Sequence, residues 1–313
     1  MKHIYYICNL QAGKAELAAH LGLVVDTMTK AGYEVTIHPT QAPLDATKMA
    51  AEASDSGKYD YLFCSGGDGT LNETLTGLMQ AKHRIPLGYI PCGSVNDFAR
   101  SIGIPREIPK AIGAVLDSTP RKFDIGSINE RTFNYIAAFG AFTDVTYETP
   151  QAVKNTIGPL AYVLNAATKI PNIRPFPMRI TCDGEVFEGS YLFGMITNSA
   201  SVGGVLDITD FVFDDGMFEI TLIKDMETPL EFSRTIRFLR DIHEIGENDR
   251  VVCLRASDIT VDLLEDTNVP WTVDGEYMEN ESHFHIVNHK RAVQLLVPNA
   301  YSTTSFFLED DDE

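Results

Sequence analysis

Within eight residues, Gly66 to Glu73, the chain sets three glycines among an aspartate, a threonine, an asparagine and a glutamate, in the order GGDGTLNE. Glycine lets backbone N–H groups come close to a phosphate. Asp68, Thr70, Asn72 and Glu73 add a metal-attracting carboxylate and a cluster of hydrogen-bonding groups beside those amides. The stretch lacks the lysine and hydroxyl residue of a Walker P-loop and does not follow GxGxxG, so neither standard nucleotide fingerprint applies. Taken alone, a tight glycine turn accounts for it equally well. A second polar loop, PCGSVNDFAR, presents Gly93, Ser94, Asn96 and Asp97, and by itself reads as helix capping by Ser94 or Asn96. A third, CNLQAGK, supplies Asn9, Gly13 and Lys14, the last either a phosphate ligand or a solvated lysine at a helix start.

These loops need elements to hold them, and the pattern supplies them. Short apolar runs at 4–8, 33–38, 59–64 and 87–90 read as strands, and helical spacing covers 14–31, 45–53 and 72–81, with further helices over 97–102 and 109–116. Such alternation predicts βαβ units, hence a parallel sheet with helices on both faces and ligands at the carboxyl edge of the strands. GGDGT then sits on a strand-to-helix turn at that edge. After about Phe123 the rhythm changes to short strand-like runs at 133–138, 178–182, 192–197, 218–223, 251–254 and 293–297, which predict an antiparallel sandwich or barrel. Helical interruptions are expected over 157–170 and 230–240, and the acidic tip FFLEDDDE reads as a solvated, frayed terminus.

Composition narrows the function classes. A chain of 313 residues, 44% hydrophobic and 22% charged, has material for two globular domains. A formal charge of −19 argues against nucleic acid as a partner and against strong electrostatic adhesion to anionic lipid. The cysteines at 8, 64, 92, 182 and 253 form no CxxC pair or zinc spacing, which suits a reducing cytosol. The apolar start MKHIYYICNL breaks at Asn9 without a cleavage pattern and reads as the first strand. No apolar run reaches the roughly 18–20 residues of a membrane span, so any membrane contact is expected to be peripheral, at the inner face.

GGDGTLNE, followed by GSVNDFAR, with the early Asn-to-Gly-Lys loop and the late WTVDGE, resembles the diacylglycerol kinase catalytic family, which includes bacterial soluble lipid kinases and sphingosine kinases. The likeness runs along nearly the whole chain. GGDGT alone is shared with NAD kinases and loosely with phosphofructokinases; NDFAR and DGE narrow it to lipid kinases.

The resemblance implies an N-terminal α/β nucleotide-binding domain over 1–126, a C-terminal antiparallel β-sandwich over 127–297 that accepts lipid, a tail 298–313 packing back on the first domain, and an active site in the cleft between the domains. Carried over by position, the ATP contacts are Asn9 through Lys14 including Gly13, then Thr40, Gly66, Gly67, Asp68, Gly69, Thr70, Leu71, Asn72 and Ser94, with Glu73 as a further contact. Leu10 replaces the proline usual after the first asparagine, and Ser94 stands where threonine is typical. A structural Mg2+ would take the Asp215 carboxylate and the carbonyls of Val212 and Met217, in FVFDDGMFEI, where residues alone favour an ordinary Asp-Gly turn. Asp274 and Glu276 of WTVDGE, otherwise a plain hairpin bend, become the general base, with Glu276 as first choice and Asp274 as its partner. His283, His285 and His289 are expected as surface or packing residues rather than metal ligands.

The expectation is therefore an ATP- and Mg2+-dependent lipid kinase, with Asp68 near the metal and a lipid substrate at the membrane surface. An exposed sandwich edge would permit a homodimer. The alternatives are an NAD kinase-like small-molecule kinase and a nucleotide-binding regulator without catalysis.

Overall fold

In a computed structural model the described residues are 1–13, 15–94, 96–140, 174–199, 201–202, 206–207, 211–226, 228, 231, 235, 249–301 and 306–308. The helix expected over 157–170, that over 230–240 apart from Glu231 and Thr235, Lys14 and the tip 309–313 lie outside them. The chain forms two compact units, Met1–Ile125 with Val212–Asp215 and His289–Glu313, and Gly126–Phe211 with Gly216–Asn288.

The first unit is the α/β one. Strands β1 (Lys2–Cys8), β2 (Tyr33–Pro39), β3 (Tyr61–Gly66) and β4 (Leu87–Pro91) alternate with helices α1 (Glu16–Lys30), α2 (Asp45–Asp55) and α3 (Asp68–Gln80), and α4 (Asp97–Ser101) and α5 (Ile108–Leu116) follow. The sheet order is β4-β3-β1-β2, every pair parallel. In β1, β3 and β4 nearly every residue is buried, as a parallel strand covered on both faces requires, whereas β2 at the edge is mostly half-exposed. After α5 the chain continues as β5 (Ser118–Ile128).

The run 293–297, expected in the sandwich, belongs instead to this parallel sheet. It is the second part of a long strand, β17 (His283–Pro298), which pairs with β4 at Leu295 and Leu87. Val293, Leu295, Leu296 and Val297 are all buried, a run suited to an internal parallel strand, and the chain returns to this unit at His289, ahead of the expected 298. A tight aromatic group closes the unit and corrects the frayed reading of FFLEDDDE at its first three residues: Phe123 lies 4.8 Å from Phe213 and 5.2 Å from buried Phe307, ring to ring, and Phe213 and Phe306 share a backbone hydrogen bond of 2.8 Å.

The second unit is an antiparallel β-sandwich. Its strands are β6 (Arg131–Phe133), β7 (Ile136–Gly140), β8 (Phe176–Cys182), β9 (Glu185–Thr197), β10 (Ser201–Val202), β11 (Leu206–Asp207), β12 (Phe218–Lys224), β13 (Val251–Ala256), β14 (Asp258–Leu263), β15 (Trp271–Val273) and β16 (Glu276–Met278), with the first part of β17. The order runs β16-β15-β7-β9-β8-β14-β17, with β12 joined to β9 and β13 to β12. Trp271, Phe133, Phe139, Phe218 and Phe284 fill the core. Alternate burial along β17, from His283 to Asn288, shows one face on that core and one in water. The single strand expected over 133–138 is split into β6 and β7, because the amides of Asn134 and Tyr135 are drawn out of the ladder by a carboxylate.

Candidate functional site

The carboxyl ends of β1 to β4 are level: Cys8 is in register with Pro39 and Ser65, and Gly66 with Pro91. The following loops therefore leave from one edge of the sheet, and backbone bonds from Asn9 to Ser65 (2.8 Å), Thr40 to Cys8 (3.0 Å) and Cys92 to Gly66 (2.8 Å) tie each to its neighbour. That edge is where ligands bind in open parallel sheets.

Three of the loops touch through their glycines. Gly13 has φ +59°, and a Cβ there would lie 2.4 Å from the Cys92 carbonyl oxygen; a Cβ on Gly93 would lie 2.6 Å from the Gly67 Cα. A side chain at either position would force the loops apart. The glycines thus bring three backbones together.

Side chains lock the same corner. Asn9 donates from Nδ2 to Thr70 Oγ1 (3.1 Å), and the Gln11 amide donates back to Asn9 Oδ1 (3.0 Å). Asp68 Oδ2 accepts the Asn96 amide (3.0 Å), joining GGDGT to GSVND. Asn96 stands at the start of α4 in the left-handed region (φ 56°), yet its side chain turns back to bond the Gly93 amide (2.9 Å) and carbonyl (2.7 Å) rather than capping the helix. The capping reading of this loop is corrected accordingly: the left-handed backbone aims Asn96 at its own turn. Beneath lies Tyr89, whose hydroxyl donates to the Gly66 carbonyl (3.2 Å); burial first and the Asp68 charge second push its pKa well above the ordinary value.

Helix α3 begins with Gly67 as a cap that has no side chain, and runs 13 residues from Asp68. Its N-terminal end carries partial positive charge and suits an anion. Gly69 is exposed, Asp68, Asn72 and Glu73 are half-buried, and Thr70 is buried with its carbonyl bonded by Thr74 Oγ1 (2.7 Å). Leu71 differs from expectation: its amide bonds the Gly67 carbonyl (3.1 Å) and its side chain is wholly buried, so it serves the helix and the core. Thr40 and Ser94 are half-buried at the same edge, with the Ser94 carbonyl bonded by Arg106 (2.8 Å).

In the second unit Asp274 and Gly275, at φ 49° and 84°, form the two-residue turn between β15 and β16, the twist-matched geometry that Asp-Gly favours. The Asp274 carboxylate accepts three backbone amides, from Asn134, Tyr135 and Ile136, each at 3.0 Å, and its own amide bonds the Ile136 carbonyl (2.8 Å). Glu276 is different. Its side chain is 70% exposed, and Oε2 accepts Arg131 Nη2 at 2.8 Å. The two acids are thus distinguished by geometry: one is bound into the backbone, the other is held at the surface by a cation.

The 212–216 turn has its buried carboxylate, Asp214, engaged by Arg291 (3.1 Å) and the Leu308 amide (2.9 Å), while Asp124 Oδ1 accepts the Arg291 amide (2.7 Å). Half-buried Asp215 is the turn's second carboxylate. Among the described residues no three His, Cys, Asp or Glu side chains cluster as a metal site. His283 pairs with Asp262 (2.7 Å) and His285 with Asp258 (3.1 Å) on exposed strand positions; His289 is held below the usual histidine range by burial and then by Arg84. Arg131 and the 134–136 amides had no motif to announce them, since NERTF carries no spacing that predicts a partner so far along the chain.

Comparison with known proteins agrees with this architecture. Residues 3–128 match the family model for the diacylglycerol kinase catalytic domain, and 139–296 that of the YegS C-terminal NAD kinase beta sandwich-like domain. A Bacillus subtilis (strain 168) protein named diacylglycerol kinase is 34% identical over 95% of this chain and 99% of its own length. A Staphylococcus aureus (strain bovine RF122 / ET3-1) protein of the same name is 33% identical over 95% and 93%. The crystal structure of a candidate diacylglycerol kinase from Bacillus anthracis str. Sterne superposes with a TM-score of 0.81 at 25% identity, covering 96% of both chains. The family match and these relatives support a kinase, here built from an α/β domain and a β-sandwich. The chain belongs to the diacylglycerol kinase catalytic family.

Proposed function

We propose that this protein is an ATP-dependent lipid kinase that transfers the γ-phosphoryl group to the hydroxyl of diacylglycerol or a related lipid. The observation that carries the reading is the sheet edge where Gly13, Gly93 and Gly67 bring three loops into backbone contact beside the open end of α3. Asn9, Gly13, Thr40, Gly66 through Thr70, Asn72 and Ser94 surround the nucleotide in this reading, and Lys14 follows Gly13 in the same loop. Preorganised donors of this kind stabilise charge developing on phosphate oxygens, which is most of what phosphoryl transfer requires.

Glu276, exposed and paired with Arg131, takes the proton of the attacking hydroxyl, while Asp274 holds the hairpin that presents it. Mg2+ near Asp68 would neutralise phosphate charge, and the Asp215 carboxylate with the Val212 and Met217 carbonyls would hold a second, structural ion. Among the described residues no helix is long and apolar enough to cross a membrane; in this reading the lipid is met at the membrane surface.

The test is to offer diacylglycerol, a sphingoid base and NAD side by side with labelled ATP, and to identify products by mass spectrometry. Phosphorylated lipid is expected. Turnover of NAD without lipid would favour the NAD kinase-like alternative, and turnover of neither would favour the non-catalytic regulator.

A further inference from the structure

From the way one guanidinium grips β16, we infer that Arg131 is the positioning residue of the phosphoryl-transfer reaction, holding Glu276 in place as proton acceptor. The inference rests on the reading of Glu276 as the base. Arg131 opens β6, and its two terminal nitrogens reach neighbouring groups on β16: Nη2 to Glu276 Oε2 at 2.8 Å and Nη1 to the Tyr277 carbonyl at 2.9 Å. A planar guanidinium with two donors engaged fixes direction as well as distance, which a lysine ammonium does not.

The grip is reciprocal. From the other side, Asp274 of the β15–β16 turn takes the amides of Asn134, Tyr135 and Ile136, so segments 131–136 and 274–277 are fastened at both ends. Arg131 is about two-thirds buried (31% exposed) while Glu276 is 70% exposed, so the cation is the fixed member and the carboxylate the presented one. A base that must work beside a triphosphate in a chain of net charge −19 also faces like-charge repulsion, which an adjacent guanidinium offsets. Misplacing a reacting group by about 1 Å can cost on the order of 100-fold in rate.

The experiment is steady-state phosphoryl transfer from ATP to diacylglycerol in mixed micelles by the full chain, comparing wild type, Arg131→Met, Arg131→Gln, Arg131→Lys, Glu276→Gln and the double variant Arg131→Met/Glu276→Gln. Expected are a fall in kcat of about 10- to 100-fold for Arg131→Met with KM for ATP unchanged, and partial recovery in Arg131→Lys. In the Glu276→Gln background Arg131→Met should cost nothing further, because Arg131 acts through Glu276. Full activity in Glu276→Gln would remove the base reading itself. A large loss in Glu276→Gln with unchanged kcat in Arg131→Met would overturn the role of Arg131 alone, as would a loss that persists undiminished in the double variant. If Arg131→Met does not fold, Arg131→Gln and Arg131→Lys decide: equal kcat in the two refutes the inference, and a higher kcat in Lys supports it.

Discussion

Replacing Asp274 by asparagine isolates the clasp in the second unit. Asparagine tolerates the left-handed backbone that Asp274 adopts at φ 49°, so the turn itself should survive. One oxygen, Oδ1, accepts the Tyr135 and Ile136 amides, and the other accepts Asn134. An asparagine can keep Oδ1 in place, but its NH2 then faces the Asn134 N–H, donor against donor. At least one hydrogen bond to a charged acceptor is lost, worth about 1.5–3 kcal/mol. A loss of about 2 kcal/mol corresponds to roughly 30-fold faster exchange of the 134–136 amides if they exchange through local opening. It also corresponds to a fall of about 4–8 °C in the unfolding transition of a unit of this size. Hydrogen-exchange mass spectrometry on peptides spanning 131–140, with calorimetry, measures both. Exchange in Asp274→Asn within twofold of wild type would show that the carboxylate does not hold this segment, and the assignment of a structural role to Asp274 would fall.

Further outcomes follow from individual contacts. Gly13→Ala places a Cβ against the Cys92 carbonyl in a left-handed backbone, so the CNLQAGK and PCGSVNDFAR loops must separate; ATP KM should rise by about 10-fold or more, with the Tm lowered only slightly. Phe307→Ala empties a site against Phe123 and Phe213 and should destabilise the first unit by about 3–5 kcal/mol, read by denaturant unfolding; no change would mean the 306–308 segment does not pack as described. Asp45 is held below the usual carboxylate range by the Gln41 and Ala42 amides, at 2.7 and 2.8 Å. Because its folded pKa is depressed, its stabilisation is complete above the ordinary value of 3.8 and is lost as pH falls through the lower folded value. Asp45→Asn should flatten the acid limb of a plot of stability against pH, and an unchanged limb would contradict the contact.

Local pattern was enough for much of this protein. Short apolar runs and helical spacing, broken by glycine and aspartate, located β1 to β4 and α1 to α3; GGDGT fell at the junction of β3 and α3, with the helix starting at Asp68 rather than at the expected 72, and GSVND fell between β4 and the first turn of α4. The Asp-Gly bend at 274–275 was legible for the same reason, being a two-residue hairpin signal.

What sequence alone did not reveal are contacts between residues far apart in the chain. That 293–297 joins the parallel sheet depends on which strand it meets, because a buried apolar run looks alike in either sheet. That Gly13 and Gly93 are needed for loop-to-loop contact depends on strand ends being level. Asp274 meets the 134–136 amides, and Arg131 meets Glu276, across about 140 residues of chain. Backbone periodicity is a property of neighbours a few positions apart, whereas the pairing of a carboxylate with a distant amide or guanidinium is set by sheet register. Sequence therefore determined the kinds of groups this protein carries and the turns that bear them, and tertiary structure alone decided that one acid of WTVDGE would be tied into the backbone and the other presented.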